Sequence, residues 1–264
     1  MSLAVTSDPR ATGLPRALDL LLAITTRELI LRYRGTLLGY VWWVARPLAL
    51  GLLLWFALRK VLAVDMPNYH LFIMTGLFPW FWFVAAVSES SGVLVAHESL
   101  VKKVVFPRVI LPLSCGLGNA VQFIVTLPVP LIFILIAGEG AKPMWLLGIP
   151  FLVLLQLALT IGIGLILAPL NVFFRDISPL VDVTLNILFY ASAVIFPLQR
   201  VPADVRPILL LNPLTGLMGG WRDVLIEGAF PGRDIWSAVG VTVAMLAIGI
   251  FVFAKLERHV ADAL

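Results

Sequence analysis

Charge is scarce in this chain. Only 13% of its 264 residues are Asp, Glu, Lys or Arg, and 61% are apolar. Ordinary soluble domains carry about 25% charged residues, so a water-facing globular surface is excluded and a polytopic membrane protein is indicated. Cysteine is almost absent, and the lone Cys115 rules out an internal disulfide. The three histidines, His70, His97 and His259, fall in separate polar segments and share no metal-ligand spacing. No His-Glu-x-x-His and no Gly-x-Ser-x-Gly occurs, and no hydrophobic run contains a histidine. An intramembrane hydrolase would therefore lack a base for its nucleophile, and no catalytic residue is expected. A Gly-x-x-x-x-Gly-Lys-Ser/Thr loop is missing too, so this chain cannot hydrolyse ATP by the P-loop route. The residues before Leu14 lack the apolar core of a signal peptide, which leaves the N-terminus expected in the cytoplasm.

What is present is a succession of long apolar runs. A membrane span needs about 20 mostly apolar residues, and the chain offers six: 42–62, 71–94, 109–137, 144–170, 179–196 and 235–254. They predict an all-α polytopic fold organised as one domain over 1–264. With six spans both ends lie on one side, and that side collects twelve of the nineteen Lys and Arg residues, which places both termini in the cytoplasm. The net charge of +4 is thereby explained by basic loops, and nucleic acid is not needed as a partner.

Three segments depart from the spans. Residues 14–40 set Arg16, Arg27 and Arg34 on one helical face, opposite Leu18, Leu22, Thr25, Leu29 and Tyr33. This predicts an amphipathic helix on the membrane surface; a cytosolic helix docked on a partner protein is the alternative. Residues 97–106 predict a short helix between the second and third spans, with Glu98 and Lys102 in the favourable i,i+4 order and Pro107 ending it. It suits either an ordinary positive loop or a lever for a cytosolic motor. Residues 203–230 are broken by prolines and glycines, and their two short apolar pieces, hinged at Asn212-Pro213, predict a re-entrant pair.

Inside the spans, Glu89 reads as the one clear carboxylate, poised either to pair with a cytoplasmic arginine or to relay protons. Gly162 and Gly164 predict close helix approach. The block Phe78-Pro79-Trp80-Phe81-Trp82-Phe83 fits core packing with an interfacial belt, and equally a conduit wall on which sugar rings stack.

Five motifs carry a family resemblance: Arg32-Tyr33-Arg34-x-Thr36-x-Leu38-Gly39-x-x-Trp42 with Pro47, Gly76-Leu-Phe-Pro-Trp-Phe81, Leu100-Val-Lys-Lys-Val-Val-Phe-Pro-Arg108, Asn171-Val-Phe-Phe-Arg-Asp-Ile177 and Asn212-Pro-Leu214. In order and end to end, they resemble the ABC-2 type permease subunit of bacterial polysaccharide exporters, those for O-antigen and teichoic acid in particular. The resemblance implies a homodimer in the bacterial inner membrane, above two copies of a cytosolic P-loop ATPase that binds the ATP and Mg, with no cofactor in this chain. It implies a polysaccharide on undecaprenyl diphosphate as the cargo, O-antigen foremost. Teichoic acid, capsule or another ABC-2 cargo is the alternative within the family, and a stand-alone secondary transporter the alternative outside it.

Roles follow residue by residue. The resemblance makes 97–106 the coupling helix, with Glu98, Lys102, Lys103, Phe106 and Arg108 facing the ATPase, and 203–230 an outer gate hinged at Asn212 and Pro213. Arg32, Arg34 and Arg46 are candidates for the diphosphate entrance. Trp42, Trp43, Trp55, Phe56, Phe78, Trp80, Phe81 and Phe83 are candidates for the conduit wall, and Asn171, Phe174, Arg175 and Asp176 form the family motif at the end of the fourth span.

Overall fold

The computed structural model describes residues 14–33, 41–61, 66, 68–104 and 106–264. Among them there is no strand. The helices are α1 (Leu14–Tyr33), α2 (Val41–Trp55), α3 (Tyr69–Ala96), α4 (Glu98–Lys103), α5 (Ile110–Thr126), α6 (Pro128–Ile136), α7 (Trp145–Phe173), α8 (Ile177–Ala191), α9 (Arg206–Leu210), α10 (Pro213–Arg222) and α11 (Ile235–Ala263). Two of them run on into π turns, α2 through Phe56–Val61 and α10 through Asp223–Glu227.

Five stretches are long and apolar enough to cross a membrane: Val41–Leu58, Tyr69–Ala96, Ile110–Ile136, Trp145–Phe173 and Ile235–Val260. The third joins α5 and α6 across Pro128, which sits where a helix tolerates its missing N–H. The run expected at 179–196 forms the shorter α8, only 15 residues long. It ends because Ala193 takes a left-handed conformation (φ 53°) and Pro197 follows in extended backbone. The 203–230 segment splits as expected. Asn212 Oδ1 accepts the Leu214 N–H at 3.0 Å and Pro213 opens α10, so the Asn-Pro pair is a helix start.

The bundle is built around α3. Every residue from Leu71 to Trp80 is buried, and α2, α5, α7, α8 and α10 all pack against this helix. Gln156 of α7, fully enclosed, donates to the Pro79 carbonyl at 2.8 Å and accepts from Trp221 Nε1 of α10 at 2.9 Å. One amide therefore satisfies two neighbours where water is absent. The glycine pair of α7 faces two ways. A Cβ on Gly162 would lie 2.7 Å from the Leu246 nitrogen of α11, and one on Gly164 would lie 2.9 Å from Ser90 Cβ of α3. Both close approaches need glycine.

Two apolar cores result. The larger holds Phe72, Phe78, Trp82, Phe123 and Trp221; the smaller lies at the α4 end and holds Leu94, Val101, Leu111, Val172 and Phe253. Replacing Gly162 with leucine forces α7 and α11 apart, and Gln156→Leu strands the Trp221 N–H. Each is expected to remove about 1–3 kcal/mol, read as a lowered thermal unfolding midpoint of the detergent-purified protein; an unchanged midpoint for Gly162→Leu would contradict the packing described.

Candidate functional site

The loop between α3 and α5 is clasped at both ends. At its start His97 closes α3 through Nδ1 and the Val93 carbonyl (3.0 Å), while Nε2 meets Glu28 Oε1 of α1 at 3.2 Å. At its finish the Arg108 backbone N–H donates to Glu257 Oε1 (3.1 Å), and the Arg108 guanidinium donates to the Glu257 carbonyl on α11. In between, α4 plugs Val101, 3% exposed, into the smaller core and turns Glu98, Lys102 and Lys103 outward. Lys102 Nζ donates to Glu98 Oε1 at 2.7 Å. That bond, first, and the lysine's charge, second, hold the Glu98 carboxyl below its usual range. Of the five residues expected to face a partner here, Glu98, Lys102 and Lys103 are presented to the outside. Phe106 packs on the core and Arg108 is turned to Glu257.

The family motif lies at the same end. Asn171, 5% exposed, accepts the Ser178 N–H through Oδ1 at 3.1 Å and so ties the end of α7 to the start of α8. Phe174, Arg175 and Asp176 are exposed on the turn, and Arg175 is near enough to act electrostatically on Glu98.

The entrance and conduit candidates divide. Arg46 lies over the Phe81 ring, 5.3 Å from its centroid, which brings one member of each set together. Arg34 and the side chain of Arg32 lie outside the described residues. Trp42 (63%) and Phe56 (59%) are exposed, Trp43 and Trp55 partly buried. Phe78, Trp80 and Phe83 are enclosed within the subunit at 3%, 4% and 2% exposure. The reason is that α3 is covered on nearly all sides, so an aromatic block on it packs inward. Trp80, for example, meets Phe189 of α8 at 5.5 Å between ring centroids. Glu89 accepts from Asn119 Nδ2 of α5 at 2.5 Å.

On α1 the apolar face splits in two. Thr25 is buried towards α5, whereas Leu18 (52%), Leu22 (62%) and Ile30 (54%) are left exposed.

Sequence reasoning located α8 as part of the 179–196 run but missed its polar flank. Only Val181 and Leu185 of this helix are buried. Asp182, Thr184, Asn186 and Tyr190 (67%) are exposed beside Leu180, Val183 and Ile187. Ser88 of α3 donates to Asp182 Oδ1 at 3.1 Å, and Asn186 Nδ2 donates to the Asp182 carbonyl at 2.9 Å. Asp182 is thus a second carboxylate in an apolar run, and its position within 179–196 could have flagged it.

At the opposite end, Asn212 Nδ2 donates to Ser192 Oγ at 2.8 Å, joining α10 to the close of α8. Arg222, 8% exposed, donates to the carbonyls of Phe72 (3.4 Å), Ala193 (2.8 Å) and Val194 (2.7 Å) and lies 3.6 Å over the Phe72 ring. Gly76 makes room for it, since a Cβ there would be 2.9 Å from Arg222 Nη2. Among the described residues no group of three or more His, Cys, Asp or Glu could hold a metal.

Apolar helices of membrane length, a short charged helix held between two of them and a broken helical pair at the other end define a multi-pass membrane protein. The chain belongs to the ABC-2 type transporter family, which matches residues 19–226. It is 33% identical to the O-antigen export system permease protein RfbA of Klebsiella pneumoniae, over 93% of this chain and 95% of the relative. A protein of the same name from Myxococcus xanthus is 31% identical over 93% and 95%. The polysialic acid transport protein KpsM of Escherichia coli is 26% identical over 89% and 93%.

Cutting the clasp at one end loosens the loop without touching its exposed face. Glu257→Ala combined with Arg108→Ala is expected to raise deuterium uptake across 98–108 at least severalfold, with uptake in the middle of α7 unchanged; equal uptake in wild type and variant would show that the clasp does not hold the loop.

Proposed function

We propose that this chain is the membrane subunit of an ATP-driven exporter that moves an undecaprenyl-diphosphate-linked polysaccharide, O-antigen foremost, outward across the bacterial inner membrane. The observation that carries the transport reading is the outward face of α8. A carboxylate, an amide and a phenol on an apolar helix are costly against lipid and belong beside water or another subunit. With α8 lining a path between two copies of the chain, Asp182, Asn186 and Tyr190 meet hydroxyl-rich cargo. The names of the relatives support polysaccharide as that cargo.

The remaining roles follow from placement. The α4 end faces the cytoplasm, as the Lys and Arg distribution favours, and both termini lie there. Two copies of a cytosolic ATPase, which bind the ATP and Mg, press on Glu98, Lys102 and Lys103. His97 and Arg108 pass that displacement to α1 through Glu28 and to α11 through Glu257. Arg32, Arg34 and Arg46 attract the diphosphate, and Arg46 hands the lipid-linked sugar to the aromatic edge formed by Trp42, Phe56 and Phe81. Phe78, Trp80 and Phe83 pack behind that edge. The pair α9–α10 closes the outer end, with Asn212-Pro213 as its hinge.

Two experiments test this. Deletion of the reading frame is expected to abolish long-chain surface O-antigen on immunoblots, with restoration by the wild-type gene; loss of capsule with O-antigen intact would shift the cargo, and intact surface glycans of every kind would refute polysaccharide export. In the co-expressed complex, alanine at Glu98, Lys102 and Lys103 together is expected to lower transport-linked ATPase activity about tenfold with assembly retained. Unchanged ATPase activity and export would remove α4 from the coupling path.

A further inference from the structure

A cavity of about 290 Å³ opens at the α10 end, between α10 and its π turn, the 193–199 segment and the start of α3. Seven polar side chains line it, Arg222 and six others: Asn68, Gln199, Thr215, Asp223, Glu227 and Asp234. Such a density of polar groups stands out in a chain that is 13% charged. Its volume lies at the small end of the roughly 300–1,000 Å³ typical of ligand pockets, which suits a single ring rather than an extended chain.

The lining chooses among ligands. Three carboxylates face the space, and the charge of Arg222, which also borders it, is directed at the carbonyls of Phe72, Ala193 and Val194. With Arg222 turned to those carbonyls and Arg206 engaged by Asp234, a phosphate or diphosphate would meet mostly acceptors. A divalent ion is not favoured either, because these acids do not form a metal-holding group. What fits is a neutral molecule rich in O–H donors, since carboxylates and amide oxygens accept them. Phe72, Ile226 and Ile235 supply the apolar floor against which the C–H face of a ring can rest. Two of the acids are already oriented: Asp223 Oδ2 accepts the Gly232 N–H at 2.9 Å, and Asp234 Oδ2 accepts from Arg206 Nη2 at 2.9 Å. Groups fixed in advance lose little freedom on binding.

We propose that this cavity is a subsite for one neutral sugar ring of the exported chain, where the glycan is gripped as it leaves the outer end of the path. The proposal rests on the polysaccharide reading above. Transient binding there would bias a sliding chain outward between strokes of the ATPase.

Gly219 provides the means to test it. A Cβ at this lining position meets nothing within 4 Å, so Gly219→Leu begins in open space and narrows the cavity, and Asp223→Asn alters an acceptor without changing volume. The purified protein in nanodiscs is probed by saturation-transfer NMR with methyl α-mannoside, methyl β-galactoside and methyl N-acetylglucosaminide, with inorganic diphosphate as competitor. At least one glycoside is expected to show transfer that diphosphate does not displace, weakened about fivefold to tenfold in each variant. No transfer from any glycoside, transfer equal in wild type and both variants, or displacement by diphosphate would overturn the subsite. If neither variant assembles, the wild-type comparison of glycosides against diphosphate decides alone. Cells separate this idea from the one it rests on. Intact surface glycan in the deletion strain sinks the export reading, whereas glycan lost on deletion but exported at the wild-type rate by both variants sinks the subsite only.

Discussion

The side chain of Gln156 donates a hydrogen bond to the Pro79 carbonyl and accepts one from the Trp221 indole, deep among apolar residues. Hydrocarbon offers no water to replace either bond, so a shift of α3, α7 or α10 along its axis would strand a polar group. The same constraint recurs at each level of the bundle. Asn119 answers Glu89 towards the α4 end, and Arg222 answers three carbonyls at the other. Dispersion and close packing let the helices touch; these few polar bonds fix the register at which they do so.

Against that rigid interior, the two ends are assembled differently. At the α4 end the contacts are polar side-chain pairs, partly exposed: Glu28 with His97 and Glu98 with Lys102. Such exposed pairs are individually weak. At the α10 end a buried guanidinium holds backbone carbonyls, and the Asn212 side chain bridges α8 and α10. The two ends thus differ in kind, one tied by side-chain pairs and the other by side chains holding backbone carbonyls.

Much of this was legible in the residues. Long apolar runs located the membrane-length helices, the i,i+4 pair marked α4, which stops at Lys103 short of Pro107, and Asn212-Pro213 marked the break between α9 and α10 because capping and proline geometry are local. The clasp was not legible. Glu28 and His97 are 69 residues apart, and Arg108 and Glu257 are 149 apart, so no local pattern announces either. The aromatic block failed to reveal its orientation for a related reason: on a helix covered on nearly all sides, as α3 is, apolar residues occur at every angle and periodicity carries no direction. Helix α8 shows the converse limit. Its apolar content indicated a span, while the meaning of Asp182 and Asn186 depended on which flank the neighbours left bare.

The brevity of α8 has its own consequence. Fifteen residues rise about 22 Å at 1.5 Å each, well short of the roughly 30 Å of a hydrocarbon core. The bilayer alongside must thin, or headgroups and water must dip in to meet the helix ends. A path beside α8 is therefore shorter through hydrocarbon than one along α3, α7 or α11, which run 28, 29 and 29 residues.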